Sequence, residues 1–288
     1  MALAAVCFFW GTTYLAIRMS LESFAPLVLV ALRFTTSGTL LLLFARSRGM
    51  HLPGGRELAA ACFSGVLVLG IGNTALTFAE LAIPSGIAGL ILTMSPFWMV
   101  GVEAMRPDGE PLHAPAIGGM LLGLSGACLL VLPDLKSDAV DHQLLNGFLV
   151  LQLGMAGWSF GSIYQRRQMG KTHPVIAGAV QQVAAGLAAV PFIPIFHQHP
   201  IHWTFRGAAA LLYLICFGSI VGYSAYIYAM DRLPVALVSV YSYVNAIVAV
   251  ALGWLFYREP FGLREGVAML VIFAAVGVVK HFSLAPKH

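Results

Sequence analysis

Apolar residues fill almost the whole chain in blocks of about twenty, separated by short polar or proline-containing breaks. A helix needs about 20 apolar residues to cross the hydrocarbon core of a bilayer, because each residue adds only about 1.5 Å. The pattern therefore predicts an all-α membrane protein with ten transmembrane helices. The predicted helices are residues 2–19, 26–45, 58–80, 84–104, 114–132, 146–165, 174–196, 207–230, 234–257 and 265–282.

One predicted hairpin, Gly72–Trp98, carries a polar face within its first apolar segment. Asn73, Thr77 and Glu80 follow at steps of four and three residues, so they share one side of a helix. Burying an amide and a carboxylate without partners costs free energy. We therefore expect this face to form one wall of an internal cavity.

The hairpin recurs 150 residues later as Gly222–Val248, where Pro84 falls on Pro234 and Ser95 on Asn245 without a gap. Other landmarks recur at shifts of 148 and 149 residues. They are Trp10, Pro26 and Arg33, matched by Trp158, Pro174 and Gln181, and Glu110–Pro111, matched by Glu259–Pro260.

The common order and spacing of these landmarks predict a duplication of five helices. An odd number of spans per half makes the two halves insert in opposite orientations, as in secondary transporters. We expect residues 1–132 to form the first repeat, 133–145 a periplasmic linker, and 146–288 the second repeat.

Composition supports the membrane class. Hydrophobic residues make up 59% of the 288 residues and charged residues only 10%, whereas soluble domains carry about 25% charged residues. The net charge is +4, but the basic residues lie between apolar segments and form no stripe, which argues against a nucleic-acid partner. The four cysteines are isolated and lack metal-binding spacing. We predict neither a metal site nor a cofactor.

Loop charges predict the orientation, because cytoplasmic loops are enriched in lysine and arginine. With a cytoplasmic N-terminus, ten basic residues fall on the inner side and five on the outer side. Arg18 locally favours the opposite orientation, but the sum decides. The prediction is a multi-pass protein of the inner (plasma) membrane with both termini in the cytoplasm.

Seven stretches match one known family in order and spacing. They are WGTTYLAIR (Trp10–Arg18), Pro26 with Arg33, GNTALTFAE (Gly72–Glu80), PSGIAG (Pro84–Gly89), WSFGSIY (Trp158–Tyr164), FGSI (Phe217–Ile220) and SVYSYVNAIVAV (Ser239–Val250). On these residues the chain resembles the drug/metabolite transporter superfamily, specifically the EamA-domain proteins of the YedA-like inner-membrane branch.

This resemblance implies ten helices in two inverted five-helix repeats around a central cavity. It also implies alternating access without ATP, in a family that includes exporters of amino acids and other small metabolites. One position departs from the family pattern, since Ala246 stands where the resemblance suggests a proline after Asn245, while its counterpart Pro96 is present. The departure puts a local break of the ninth helix in question.

Polar and aromatic residues near mid-span are the candidates for solute binding. Trp10 and Trp158 suit a cavity that holds an amphipathic solute, although an aromatic belt at the membrane surface is the alternative. We expect all helices except the fifth and tenth to line the cavity. The predicted substrate-binding residues are Trp10, Tyr14, Arg33, Asn73, Thr77, Glu80, Ser95, Trp158, Gln181, Tyr223, Tyr241 and Asn245.

Two charged residues have competing interpretations. Arg33 lies about 10 Å into the membrane, because it is seven residues past Pro26. It is either an anchor or gate for a substrate carboxylate, or one member of a structural ion pair with Glu80. Glu80 in turn is a carrier of a coupling proton, an interfacial carboxylate, or the partner of Arg33.

Three other features suggest less. Gly119, Gly123 and Gly126 give the fifth helix a small-residue face for close packing within the chain or in a homodimer. The sequence Gly170–Thr172 resembles the end of a phosphate-binding loop, but Gln165 stands where that motif needs glycine. The histidines of the 197–202 loop are expected to be solvated rather than bound to metal.

The leading hypothesis is a secondary transporter that exports an amino acid or a similar small amphipathic metabolite by alternating access. A membrane-embedded lipid-modifying enzyme is an alternative, but no span contains the clustered acids that such chemistry needs. A sensory or scaffold membrane protein is the third alternative. It predicts polar faces that seal against each other and leave no internal cavity.

Overall fold

A computed structural model describes residues 2–105, 114–135, 142–168, 172–196, 200–233, 238, 241–259 and 261–283. Within these ranges all regular structure is helical. The helices are α1 Ala2–Leu21, α2 Pro26–Ser47, α3 Gly55–Ala82, α4 Ser85–Ala104, α5 Ala114–Leu135, α6 His142–Gln168, α7 Pro174–Phe192, α8 Phe205–Arg232, α9 Tyr241–Tyr257 and α10 Leu263–Ser283.

Seven of these described helices, α1 to α4 and α6 to α8, are long and apolar enough to cross a membrane. The residues Ile117–Gly126 within α5, and α9, form shorter apolar helices. The chain is therefore an all-α, multi-pass membrane protein, as the hydropathy pattern predicts. These lengths and compositions support seven spans among the described residues, so the expected number of ten stays a prediction.

Proline and capping side chains fix several helix starts. Pro26 and Pro174 open α2 and α7 at the first turn, where a missing N–H costs little. Thr204 caps α8 by accepting a hydrogen bond from the Gly207 backbone at 3.0 Å. The sequence predicts that Pro84 lies inside the first turn of its helix. In the structure Pro84 is instead the N-cap residue, directly before Ser85.

The α4 N-terminus is capped from the other half of the chain. Glu259 accepts hydrogen bonds from the Ser85 backbone, the Ser85 hydroxyl and the Gly86 backbone, each at 2.9 Å. Arg258 adopts a positive φ of 51° just after α9 and turns the chain toward that contact. A carboxylate suits this position, because the N-terminus of a helix presents free N–H groups and positive potential. The equivalent Glu110 and Pro234 lie outside the described residues.

Counterpart helices of the two predicted halves pack against each other in antiparallel pairs. In α2 and α7, Ser37 donates a hydrogen bond to Gln182 at 2.5 Å, and Gly186 packs against Thr35. In α4 and α9, Gly89 packs on Ala249 and Gly253 lies by Ser85. Residue numbers rise along one helix as they fall along the other, so each pair is antiparallel.

The helix pair α5 and α10 follows the same rule, since Gly123 faces Ala275 and Gly126 faces Ile272. These glycines also let Phe97 of α4 approach Gly123 closely. The small-residue face of α5 is thus used for packing within the chain at Gly123 and Gly126. A homodimer stays a prediction that this packing does not support.

Two helices contain a wider π-helical stretch at related positions. These stretches are Val66–Ile71 in α3 and Leu214–Tyr223 in α8. Such stretches are frequent at functional sites, because they re-aim side chains within a helix. The proline-dependent break also differs between counterparts. The helix α4 is interrupted at Thr93 and Met94, before Pro96, whereas α9 runs unbroken across Ala246.

Candidate functional site

A central cavity lies between α1, α2, α3, α4, α6, α8 and α9. It offers about 80 Å³ to the centres of water molecules, where a single water needs roughly 10–15 Å³. The cavity therefore has room for several waters or a small solute in this conformation. Its lining residues are Trp10, Thr13, Tyr14, Arg33, Phe34, Leu69, Gly72, Asn73, Leu76, Leu92, Ser95, Gly154, Met155, Trp158, Gly218, Tyr223, Tyr241, Ser242 and Asn245.

Arg33 is the charged residue in this lining, and its exposed fraction is only 6%. Its Nε donates to the Ser219 hydroxyl at 2.8 Å, and its Nη1 donates to Asn73 Oδ1 at 3.4 Å. The guanidinium carbon also lies 4.8 Å from the centre of the Phe34 ring. Both hydrogen-bond acceptors are neutral. A buried guanidinium whose hydrogen-bond acceptors are neutral is chemically suited to bind an anionic group.

The ion pair between Arg33 and Glu80, one of the alternatives for these residues, is not formed. No guanidinium nitrogen of Arg33 lies within 4.0 Å of a Glu80 carboxylate oxygen in the described structure. Glu80 is fully buried, and neither carboxylate oxygen has a hydrogen-bond partner there. Arg18 instead donates to the backbone oxygen of Glu80. The alternative that pairs Glu80 with Arg33 is therefore wrong for this conformation, whereas the position of Glu80 relative to the membrane surface stays a prediction.

An aromatic cluster forms another part of the cavity wall. Trp10 lies at its centre, with ring-centre distances of 5.4 Å to Trp158, 5.0 Å to Tyr226 and 5.2 Å to Tyr241. Its indole N–H donates to the Gly218 backbone oxygen at 2.9 Å. These residues lie inside the helix bundle, so Trp10 and Trp158 do not form an interfacial belt. The cluster offers ring faces to an apolar part of a solute.

The two tryptophans occupy equivalent environments. Trp10 of α1 packs on Gly222 of α8, and Trp158 of α6 packs on Gly72 of α3. The glycines are needed there, since a Cβ atom would lie 2.5 Å from Trp10 Nε1 at Gly222 and 2.9 Å from Trp158 at Gly72. A tryptophan of the first predicted half thus packs on a glycine of the second half, and a tryptophan of the second half packs on a glycine of the first half in the same way.

Polar groups complete the lining. Asn245 is almost fully buried, and its Oδ1 atom has no hydrogen-bond partner among the described residues. Ser95, its counterpart in the repeat, lines the same cavity. An unpaired buried amide oxygen costs free energy unless a donor such as a solute ammonium or a water reaches it.

Three predicted site residues lie outside the cavity lining. Thr77 donates its hydroxyl to the Asn73 backbone oxygen one turn earlier, at 2.5 Å. Glu80 lies one further turn along α3, and Gln181 of α7 lies behind Tyr223. The expectation that α7 lines the cavity is therefore wrong. The other nine predicted residues are brought together, and their binding role stays a prediction.

Several lining residues were not among those predicted. Thr13 lies between Trp10 and Tyr14 in the sequence, and Ser242 follows Tyr241. Gly72, Gly154 and Gly218 have no side chain that a pattern of polar residues could reveal. The repeat could have identified Gly72, because it matches Gly222 at the 150-residue shift.

A second, smaller polar pocket lies where α3 begins, α6 ends and α7 begins. It offers about 10 Å³, room for about one water centre. Its lining includes Glu57, Ser64, Gln165, Thr172 and Gln181. The described residues contain no cluster of three or more histidine, cysteine or acidic side chains that could hold a metal ion. Gly170, Lys171, His197 and His199 lie outside the described residues.

Comparison with known proteins gives consistent matches over the full length. The model of the EamA-like transporter family matches residues 1–132 and 145–280. The "Uncharacterized inner membrane transporter YedA" of Escherichia coli (strain K12) is 34% identical over 282 residues, covering 96% of this chain and 89% of that protein.

More distant relatives extend the comparison. A "Probable amino-acid metabolite efflux pump" of Escherichia coli (strain K12) is 26% identical over 197 residues, covering 65% of this chain and 58% of that protein. A crystal structure with 20% sequence identity superposes with a TM-score of 0.70 and covers 99% of this chain and 98% of that chain. At that identity the superposition shows a shared fold.

Proposed function

Because this chain belongs to the EamA-like transporter family, we propose that it exports a small amphipathic metabolite, an amino acid or a similar carboxylate, across the inner membrane. The solute binds in the central cavity, and the two halves of the chain expose that cavity alternately to the two sides. The observation that carries this proposal is Arg33, a buried cation with neutral partners that faces an aromatic cavity of small volume.

The chemistry of the lining supports an amphipathic carboxylate. Arg33 supplies donors for the carboxylate, and the ring faces of Trp10 and Trp158 suit an apolar side chain. Asn245 offers an amide oxygen to an ammonium group. The relative named as an amino-acid metabolite efflux pump makes efflux of such solutes the first class to test.

The packing supports the proposed architecture of ten spanning helices in two inverted repeats. Three of the five counterpart pairs, α2 with α7, α4 with α9 and α5 with α10, pack directly and are antiparallel. The contact of Trp10 on Gly222 is matched by that of Trp158 on Gly72. The family model also aligns separately with residues 1–132 and 145–280, close to the proposed halves. Inverted repeats place a solute site near mid-membrane, where they meet.

The names of the relatives are those of transporters, which agrees with a protein that is not an enzyme. A sealed scaffold would pair its internal polar groups, whereas the Asn245 amide oxygen and both Glu80 oxygens are unpaired in the described structure. Transport is therefore the function that these residues favour. The inner-membrane location with both termini in the cytoplasm is part of the proposal and rests on loop charge.

Uptake into vesicles tests the proposal directly. The purified protein is reconstituted, and radiolabelled amino acids, amines and sugars are offered in turn, with protein-free vesicles as the control. We expect amino acids or related carboxylates to accumulate and to raise thermal stability, while sugars do neither. If no solute of any class moves and none alters thermal stability, the transporter proposal is refuted.

A further inference from the structure

Two hydrogen-bonded clusters connect the halves of the chain at equivalent places. We define the arginine clamp as Arg33, Asn73 and Ser219, and the glutamine clamp as Gln181, Tyr223 and Ser64. In the glutamine clamp, Tyr223 donates its hydroxyl to Gln181 Oε1 at 2.7 Å, and Gln181 Nε2 donates to the Ser64 hydroxyl at 2.9 Å.

Two of the three members of each clamp correspond through the repeat, whereas the serines Ser64 and Ser219 occupy different positions in their halves. Arg33 and Gln181 each lie seven residues past the proline that opens their helix, and Asn73 matches Tyr223 at the 150-residue shift. Each central residue bonds one partner in its own half, Asn73 or Tyr223. Each also bonds a serine of the other half, Ser219 or Ser64.

The clamps lie at different depths because α2 and α7 are antiparallel. The bond from Ser37 to Gln182 and the contact of Thr35 with Gly186 fix the register of the two helices. Arg33 is then about five to seven residues from the level of Gln181, or roughly 8–10 Å along the pair. Arg33 lies toward the outer end of the predicted topology and Gln181 toward the cytoplasmic end.

The glutamine clamp also separates two spaces. Tyr223 lines the central cavity, whereas Ser64 and Gln181 line the small polar pocket near the cytoplasmic ends of α3, α6 and α7. Ser64 and Gln181 are fully buried, and the pocket beyond them has room for about one water. A solute that leaves the central cavity in this direction must part Gln181 from Tyr223 or Ser64.

We infer that the glutamine clamp is the closed cytoplasmic gate of the transport path and that the arginine clamp is its counterpart on the outer side. Each clamp ties a helix of one half to α3 or α8 of the other half, and both clamps are formed in this conformation. Rocking of the halves then opens one clamp while the other stays closed. This inference rests on the proposed function, because gates on two sides have meaning only for alternating access.

The test measures access to the cavity and needs no solute. In a variant with Cys7, Cys62, Cys128 and Cys216 changed to serine, Leu92→Cys places one thiol in the central cavity. A membrane-impermeant maleimide is then added to inside-out or right-side-out vesicles. Labelling rates from the two sides report how often the cavity opens to each side.

Matched serine variants give the sharpest comparison. Ser64 and Ser219 are both fully buried and each supplies one hydroxyl to a clamp. We expect Ser64→Ala to raise cytoplasmic labelling and Ser219→Ala to raise labelling from the opposite side. The expected change is about tenfold, equivalent to about 1.4 kcal/mol. Both variants raising labelling from the same side, or neither changing it, would overturn the inference.

Gln181 has a matched neighbour. Gln181→Leu removes both bonds of the clamp, whereas Gln182→Leu removes an equally buried amide that bonds only Ser37 of α2. We expect increased cytoplasmic labelling in Gln181→Leu and in the milder Tyr223→Phe, but not in Gln182→Leu. Equal labelling in the two glutamine variants shows a merely structural role and overturns the inference.

The outcomes separate the gate from the transported solute. If carboxylates are transported but labelling ignores the clamp variants, the gate assignment fails alone. If none of the tested solutes is transported but the serine variants open opposite sides, the proposed substrate class fails, while alternating access through the two clamps stands.

Discussion

The replacement Arg33→Gln tests the charge selectivity of the cavity at its one described cationic side chain. Glutamine is the natural residue at the equivalent position of the second half, Gln181, so the change makes the two halves alike at this site. Arg33→Gln removes the positive charge and shortens the side chain. It also breaks the bonds to Ser219 and Asn73.

The expected loss of affinity follows from the burial of the guanidinium. Hydrogen bonds to a charged group contribute about 1.5–3 kcal/mol, roughly twice the neutral value. At about 1.4 kcal/mol per factor of ten, a carboxylate solute should bind about 10- to 100-fold more weakly. The carboxamide analogue of the same solute has no charge to lose, so its affinity should change by less than about threefold on the same scale.

The assay is a titration of purified wild-type protein and the variant with a transported carboxylate and with its carboxamide, followed by calorimetry. Arg18→Gln is the control, because it removes another partly buried arginine that contacts Glu80 and Tyr257 but does not line the cavity. Arg18→Gln should keep the preference for the carboxylate. A folded Arg33→Gln variant that binds the carboxylate as tightly as wild type would refute the anchor role.

Three further predictions concern packing, capping and the aromatic wall. Gly222→Ala should lower the thermal midpoint and transport, because a Cβ atom there would lie 2.5 Å from Trp10 Nε1, whereas Gly101→Ala, with no atom within 4 Å, should change neither. Glu259→Ala should destabilise the protein by about 1–2 kcal/mol in a denaturation experiment, since α4 loses its cap. Glu57→Ala, which loses only an exposed bond with Thr172, is its control, and equal losses would contradict the capping role. Solute-induced fluorescence change should disappear in the double variant Trp10→Phe/Trp158→Phe and persist in Trp98→Phe, because Trp10 and Trp158 line the cavity and Trp98 does not; its persistence in the double variant would place the solute elsewhere.

The sequence predicts the helical class and most of the cavity lining, because both follow from patterns that can be read from the sequence alone. Blocks of apolar residues locate the helices, and a 150-residue shift aligns Asn73 with Tyr223 and Ser95 with Asn245. These residues all line one cavity, although the antiparallel halves place equivalent positions at different depths along it. When one member of an equivalent pair is predicted to line the cavity, the repeat therefore predicts the other member as well.

The errors arise where helix geometry or partner choice decides the outcome. Thr77 and Glu80 share a face with Asn73, but the cavity does not extend along the whole length of that face. The repeat predicts that Gln181 lines the cavity, because its counterpart Arg33 does. The shorter side chain of Gln181 instead bonds Tyr223 and Ser64 and lies behind the lining.

Symmetry of the backbone and asymmetry of the side chains have different consequences for this protein. The contact of Trp10 with Gly222 and that of Trp158 with Gly72 need the same close approach of two helices. A substitution at either contact should therefore affect the relative motion of the two halves. At the clamps the halves differ by a charge. A carboxylate at Arg33 competes with the Ser219 hydroxyl for the same guanidinium, whereas the neutral Gln181 has no such competitor. Binding of an anionic solute should therefore loosen the arginine clamp selectively, which biases one side of the cavity to open when it is loaded.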